Sequence, residues 1–429
     1  MSVVTDPLIE MAADKVPSGV VAIIGGGIVG VCCALYLQRS GYTVNLIDPA
    51  KAGESTGKWS CGQLAVGEVV PLSKPGILKK IPGWLMDQEG PLALRPVALP
   101  GVLPWMMRFI SCGRQSRLVE ISRALASLTR RVFEDYQLLL DACPNEVLLN
   151  QRPVLQVFDS GKGLEQDLRH ADLPRSLGFA FDKLSAGEIG ELEPALAGKF
   201  AYGILLSDWR FVTDTERFIV ALTESFLSLG GRRLQAGANR INAENGRATG
   251  VLLSTGESVA ADHIVVAAGV GSRKFFPQLD VNVPLEGVAG YQVLLRDPGI
   301  TLKHSVIYAD GGFCLAPMTR GLQVGGTIEF AQQEAAPNFR RAEIILNKTR
   351  RIFPELRTKD QELGVGYRPL LPDSKPVIDR TRKLPNVILA TGHGQLGLTL
   401  AATTGKLVSD LISGRSPPVD LASFSAYRF

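Results

Sequence analysis

Several things are scarce in this chain, and each scarcity removes a class of function. Its 429 residues include six cysteines, at 32, 33, 61, 112, 143 and 314, and no two of them form a C-x-x-C pair. With only four histidines besides, the ligand spacings of zinc and iron–sulfur sites are missing, so no metal is expected, and neither is a disulfide framework. Cys32 and Cys33 fall inside an apolar helical stretch where small buried residues belong, and the overall pattern suits a reducing cytoplasm. No long run of Lys or Arg appears and the net charge of +4 is small, so nucleic acid is not an expected partner. No apolar run reaches the ~20 residues of a membrane span. Residues 1–18 carry acids and a proline without the apolar segment of a secretory signal. Internal repeats and low-complexity segments are absent as well.

What remains is globular: 45% hydrophobic and 21% charged residues, with chain enough for two or three domains and a large core. The first strong signal is Val20–Ile24, a wholly apolar run that reads as a strand buried on both faces. Gly25-Gly26-Gly27-Ile28-Val29-Gly30 follows, then a helical stretch over 31–40 closed by Gly41, then a second strand, Thr43–Ile47, ending in Asp48. This is G-x-G-x-x-G with an acid 18 residues past the last glycine. In such a unit Gly25 makes the tight turn, Gly27 admits a pyrophosphate, and Gly30 lets helix pack on strand. Asp48 then meets ribose hydroxyls, which disfavours a 2′-phosphate and leaves FAD and NAD.

Two later stretches bear on that choice. A buried strand over 262–269 ends in Ala267-Ala268-Gly269, which suits a long cofactor crossing several strand ends. Near the carboxyl terminus, Val387–Ala390 breaks into Gly392-His393-Gly394-Gln395 before a helix over 396–412 that starts with Gly397 close by. A helix start exposes free N–H groups and partial positive charge, and glycines let an electron-rich ligand come near. Between these landmarks the pattern predicts a helix over 214–229, strands over 233–238, 250–254, 290–295 and 306–316, and helices over 117–142 and 338–352.

With these motifs in place the chain resembles the flavin-dependent amine oxidoreductases, relatives of D-amino acid dehydrogenase small subunits, glycine oxidase and sarcosine oxidase. The resemblance runs from about residue 18 to the end. It is carried by the amino-terminal G-G-G-I-V-G, by Gly366-Tyr367-Arg368-Pro369-Leu370-Leu371-Pro372, and by Gly392-His393-Gly394-Gln395-Leu396-Gly397-Leu398-Thr399. It implies an α/β (α+β) architecture of the D-amino acid oxidase type. A discontinuous Rossmann-type FAD-binding domain (18–94, 185–283, 363–429) would be joined to a mixed-sheet substrate domain (95–184, 284–362).

The same resemblance implies roles. Residues 394–399 would lie against the flavin, with N–H groups from Leu396 to Thr399 meeting charge that develops on it. Arg368 matches the arginine that holds the substrate carboxylate in glycine oxidase. Thr56, Gly62 and Gln63 match a flavin-contacting loop in which Gly57, Ser60 and Cys61 depart from the family's residues. Tyr291, Gln292 and Gln395 are expected in the catalytic group with Arg368, and Gln292 and Gln395 stand where relatives commonly carry histidine, which shifts the expected substrate. His393 is either a proton relay or a structural histidine. Gly366 stands where sarcosine oxidase has its flavin-linked cysteine, so FAD is expected to be non-covalent.

The implied reaction is hydride transfer from the Cα of a D-amino acid to FAD. A secondary amine such as hydroxy-D-proline, sarcosine or an opine is the alternative substrate, and a non-catalytic flavoprotein the alternative function. Relatives pass electrons to the respiratory chain or to partner subunits, so a quinone or protein acceptor is implied, with the chain cytoplasmic or peripheral on the inner membrane. Pro71, Lys74, Lys79, Lys80, Trp84, Met86, Trp105, Met106, Met107, Arg108 and Phe109 mix apolar and basic residues, as a membrane-facing patch does, or as the lining of the substrate entrance or core does.

Overall fold

The computed structural model describes residues 18–141, 143, 149–331 and 335–429, with backbone alone at 77–80 and 82. Most of the amino-terminal stretch read for a signal, and the side chains of Lys79 and Lys80, therefore lie outside the described residues.

The apolar run Val20–Ile24 sits in the middle of a six-stranded sheet. Thr43–Ile47 and His263–Val266 flank it, with Arg232–Leu234 and Val387–Thr391 outside them, all parallel. Val377–Arg380 closes one edge antiparallel. Both faces are covered, which is why these strands read as continuous apolar runs and not as alternating ones. Val21, Ile23, Val44, Leu46 and Val265 pack against the helices Ile28–Arg39, Thr215–Ser228 and Gly397–Ile412. Ala22, Ile24, Ile47, Ile264 and Val266 pack on a three-stranded meander, Ala238–Glu244, Arg247–Leu253 and Ser258–Ala260. Each such fully buried Val or Ile stabilises the fold by about 1.5–3 kcal/mol.

The two ends of the chain meet through one glycine. A Cβ on Gly405 would stand 2.7 Å from the Cys32 carbonyl, so helix 397–412 crosses helix 28–39 in backbone contact. Both helices begin at the carboxyl ends of parallel strands, where this architecture binds its ligands.

A ten-stranded mixed sheet forms the second layer system. At its centre Glu286–Leu295 pairs antiparallel along its whole length with Gln361–Leu370, placing Gly290 opposite Gly366, Gln292 opposite Gly364 and Val288 opposite Arg368. Strand pairing carries Leu92–Leu94, Asp182–Ser185, Tyr202–Leu206 and all of Gln361–Leu370 into this sheet. Sheet membership thus does not follow the expected boundaries at 94, 185 and 363 residue by residue.

Other differences have local causes. The expected helix over 117–142 is two, Gln115–Thr129 and Val132–Leu140, and the second carries Glu134 and Asp135 in its first turn, where acids meet free N–H groups. The expected strand over 306–316 folds back at Gly311-Gly312 into the hairpin Val306–Tyr308 and Phe313–Met318. The run over 233–238 splits between two sheets, because the chain leaves the parallel sheet at Leu234 and enters the meander at Ala238.

Candidate active site

Three glycines open the first helix, for different reasons. Gly25 has φ +110°, and a Cβ there would stand 2.5 Å from the Ala267 carbonyl oxygen. A Cβ on Gly30 would stand 1.8 Å from the carbonyl oxygen of Gly25. The chain itself demands both. Gly27 is another matter: its φ of −71° suits any residue, and a Cβ would meet nothing nearer than Ser55 at 3.8 Å. Its open side faces a cavity of about 750 Å³, so nothing within the described chain requires a glycine there.

Ile28 and Val29 share the cavity wall, in the first turn of a helix without a side-chain cap, an arrangement that favours a diphosphate. Asp48 is on the wall as well. Its Oδ2 accepts the Gly26 N–H at 2.6 Å and its Oδ1 the Ala50 N–H at 2.8 Å, which fixes the carboxylate and leaves lone pairs for hydroxyls. Ala268 and Gly269 line the same cavity, and Gly269 has φ +56° with nothing within 4 Å of an added Cβ.

The other end of the chain reaches this cavity too, with Gly394, Gln395, Leu396, Gly397 and Leu398 in its wall. Gly397 repeats the case of Gly27, since an added Cβ would meet only His393 Cβ at 3.8 Å. The helix it starts has no side-chain cap. The Leu396 N–H, expected to face the flavin, is instead used on the His393 carbonyl at 2.9 Å. Thr399 is buried behind the wall, its Oγ1 accepting the Ala65 N–H at 3.0 Å, and so pins the 63–65 loop to the helix start. Thr56 and Gln63 reach the wall; Gly62 does not. Gly62 is needed for its φ of +74° and because a Cβ would stand 2.1 Å from the Val212 carbonyl oxygen.

The floor is a patch of bare sheet. Gly290, Gly325, Gly364 and Gly366 occupy one face of three adjacent strands, and larger groups from elsewhere lie on them. The Trp59 ring covers Gly364, the Gln292 carboxamide covers Gly325, and the Arg368 guanidinium covers Gly290, with Nη1 at 2.2 Å from where a Cβ would be. Arg368 Nη1 donates to the Thr327 carbonyl at 3.1 Å. Among the described residues no carboxylate pairs with it. Burial pulls Arg368 below the usual guanidinium value, and the nearby Cys61 and Cys314 pull the other way. A guanidinium keeps its proton in proteins, so this is a half-buried positive charge facing a cavity.

Tyr291 corrects an expectation. Strand alternation turns it to the face opposite Gln292, where it is 1% exposed and away from the cavity. Its hydroxyl donates to Glu329 Oε2 at 2.5 Å and accepts the Asn338 N–H at 2.8 Å, and Glu329 also pairs with Arg95 at 3.1 Å. Burial, first, and then Glu329 push its pKa up to about 12. Tyr291 is a structural bolt. His393 is buried, its Nε2 is 2.9 Å from Thr404 Oγ1, and burial lowers its pKa to about 4. It is neutral near pH 7 and its Nε2 is taken by Thr404, which supports the structural alternative. Gln292 and Gln395 both line the cavity, the latter exposed.

Sequence reasoning missed Gly290, Cys314 and Glu68, all in the wall. Glycines at alternate positions, 364 and 366, hold the signal of a bare strand face; Cys314 and Glu68 carry none. Burial raises the Glu68 carboxyl above its usual range, while Lys74 pulls it down.

Comparison with known proteins agrees with this geometry. A D-amino-acid oxidase of Bradyrhizobium diazoefficiens is 33% identical over 95% of this chain and 98% of that protein. A D-amino acid dehydrogenase of Chromohalobacter salexigens is 31% identical over 95% of this chain and 99% of its own. Among solved structures, glycine oxidase from Geobacillus kaustophilus superposes with a TM-score of 0.73, covering 96% of this chain and 99% of that one at 19% identity, and so shares the fold. The model of the DAO family, FAD dependent oxidoreductase, matches residues 21–411. With the family's model matched over most of its length and relatives at 30% identity or more along it, the chain is a member of this FAD-dependent oxidoreductase family, with FAD as its cofactor.

Proposed function

We propose that this enzyme carries out oxidative deamination of a D-amino acid. The observation that carries the reading is the half-buried Arg368 guanidinium, facing the cavity with no carboxylate partner among the described residues. An uncompensated buried charge is costly, and a substrate carboxylate supplies the missing partner in a bidentate, charge-assisted pair. Gly290 makes the seat by leaving its Cα bare, and the Thr327 carbonyl holds one nitrogen, which fixes the plane of the fork.

Gln292, held by Gly325 and by the Cys61 thiol at 3.7 Å, presents a neutral amide at the same floor. It orients the amine without taking its proton. His393 stays neutral and tied to Thr404, so the amine enters uncharged and its proton leaves to solvent beforehand. FAD, when bound, would supply the hydride acceptor for the substrate Cα. The residues supply position and charge, from which most of such a rate comes. Gly27 and Asp48 are assigned to the cofactor's diphosphate and ribose, and Gly397 to its ring. Gly366 offers no thiol, so the cofactor is held without a covalent bond. The domain division at about 94, 185, 284 and 363 is part of the same reading.

A panel of D-amino acids, D-proline derivatives and N-methyl amino acids, mixed anaerobically with the enzyme, tests it by flavin bleaching. Primary D-amino acids are expected to bleach it, and bleaching by secondary amines alone would move the substrate class. Arg368→Ala removes one member of a buried pair worth about 3 kcal/mol or more, so KM should rise on the order of a hundredfold with flavin retained. An unchanged KM would end the assignment.

The acceptor side is read from the surface. The expected patch divides: Pro71 and Trp105 are buried, and Trp105 stacks on Phe109 at 5.2 Å. Leu99, Leu103, Met107 and Ile110 form an exposed stripe along helix Leu99–Cys112, with Met107 66% exposed, and Met86 nearby in sequence is 86% exposed. Arg108 is exposed beside them. An apolar stripe with a basic flank suits peripheral contact with an anionic membrane, where a respiratory acceptor resides; no helix among the described residues is long and apolar enough to cross one. Wild type should float with anionic liposomes and Met107→Asp should not. Equal flotation of the two would discard this contact.

A further inference from the structure

Of the six cysteines, Cys61 and Cys314 reach the active-site cavity. Cys32, Cys33 and Cys112 are buried, with burial holding each thiol above its usual range, which makes them inert. The two cavity cysteines meet over one glycine. Gln292, Gly325 and Cys314 stand in a row on adjacent strands, Gln292 opposite Gly325 and Gly325 opposite Cys314. Strands lie about 4.8 Å apart, so side chains on one face of such a row touch. Gly325 has no side chain, and Gln292 Oε1 fills its place, 1.3 Å from where a Cβ would stand. The Cys61 thiol, arriving on the loop after Trp59, donates to that oxygen at 3.7 Å. It therefore lies over Gly325 beside Cys314, whose own thiol donates to Gln63 Oε1 at 3.9 Å.

We propose that Cys61 and Cys314 form a peroxide-oxidisable dithiol in the wall of the active site, closing reversibly to a disulfide. Their surroundings favour it. The neighbouring Cys61 thiol, and then the Arg368 charge, hold Cys314 below the usual thiol range against burial. The neighbouring Cys314, and then burial, keep Cys61 well above it. Cys314 is thus the attacking sulfur. It takes one peroxide oxygen as the O–O bond breaks, and the other oxygen leaves as water after gaining a proton. Cys61 then attacks the sulfenic sulfur, the S–S bond forms, and the second oxygen departs as water. Two electrons pass from the two thiols to one peroxide, and two waters result. Closure draws Cys61 off Gln292 and takes the partial negative charge from beside Arg368. The effect on substrate affinity rests on the Arg368 reading above; the chemistry of the thiols does not.

The flavin-bound enzyme is treated with hydrogen peroxide, quenched, denatured and titrated for thiols. Six thiols should fall by two, a peptide linking Cys61 to Cys314 should appear by mass spectrometry, and dithiothreitol should restore all of them. Cys61→Ser should leave a sulfenic acid at Cys314, trapped by dimedone. Cys314→Ser should resist the same dose. Retention of every thiol under peroxide that oxidises glutathione, or a link joining other cysteines, overturns the proposal. A closed disulfide with an unchanged KM for the D-amino acid supports the dithiol and counts against the Arg368 reading.

Discussion

Replacing Gly27 by Ala separates what the cofactor needs from what the fold needs. At φ −71° and ψ 178° the backbone there is open to any residue, and the nearest atom to the new methyl is Ser55 Cβ at 3.8 Å, ordinary contact. The flavin-free protein should therefore melt as wild type does. In the holoenzyme the methyl enters the space assigned to the diphosphate, and crowding of one methyl into a filled site costs about 1–3 kcal/mol. That corresponds to a loss of FAD affinity on the order of ten- to a hundredfold. Gly30→Ala is the contrasting variant, because its methyl would lie 1.8 Å from the Gly25 carbonyl oxygen, so apoprotein and holoenzyme should both be destabilised. Titration of stripped protein with FAD, read by quenching of flavin fluorescence, gives the affinity, and thermal denaturation of the same samples gives the fold. Wild-type affinity in Gly27→Ala, or apoprotein melting lowered as far as in Gly30→Ala, would refute the reasoning.

Two further outcomes test the reassigned residues. His393 titrates near 4 when folded against 6.5 ordinarily, because burial disfavours its charge; the unfolded chain binds the proton first as pH falls, so stability is lost between about 6.5 and 4. The loss amounts to about 3 kcal/mol, and His393→Gln should remove that part of the pH dependence of the urea midpoint; parallel curves for variant and wild type would count against a buried neutral imidazole. Tyr291→Phe deprives the buried Glu329 of a donor and the Asn338 N–H of an acceptor, which should cost about 1–3 kcal/mol and lower Tm while leaving KM alone. A large rise in KM at an unchanged Tm would return Tyr291 to the catalytic group.

How much was legible beforehand follows from the range over which each signal acts. The first strand, its glycine turn and Asp48 are contiguous, and steric rules written within a few residues make them readable. The turn at 392–397 and Arg368 were readable through resemblance, since only their company with the first motif gives them meaning. The break at Arg130–Arg131 was hidden, because apolar periodicity continues across it, whereas the hairpin was written in Asp310-Gly311-Gly312 and went unread. Tyr291 and Gln292 were placed together as neighbours in sequence, and strand alternation sends them to opposite faces.

By itself the sequence determined the local geometry: which runs are buried on both faces, where the backbone turns, and which helix starts are left uncapped. The tertiary structure alone decided what those pieces meet. Whether a glycine is required by packing, as Gly25 is by Ala267, or is left free for the ligand assigned to it, as Gly27 is, depends on atoms hundreds of residues away or on none at all. The same holds for the pairing of Cys61 with Cys314 and for the seat of Arg368 on Gly290, because contacts across strands are set by register, and register is a property of the folded sheet.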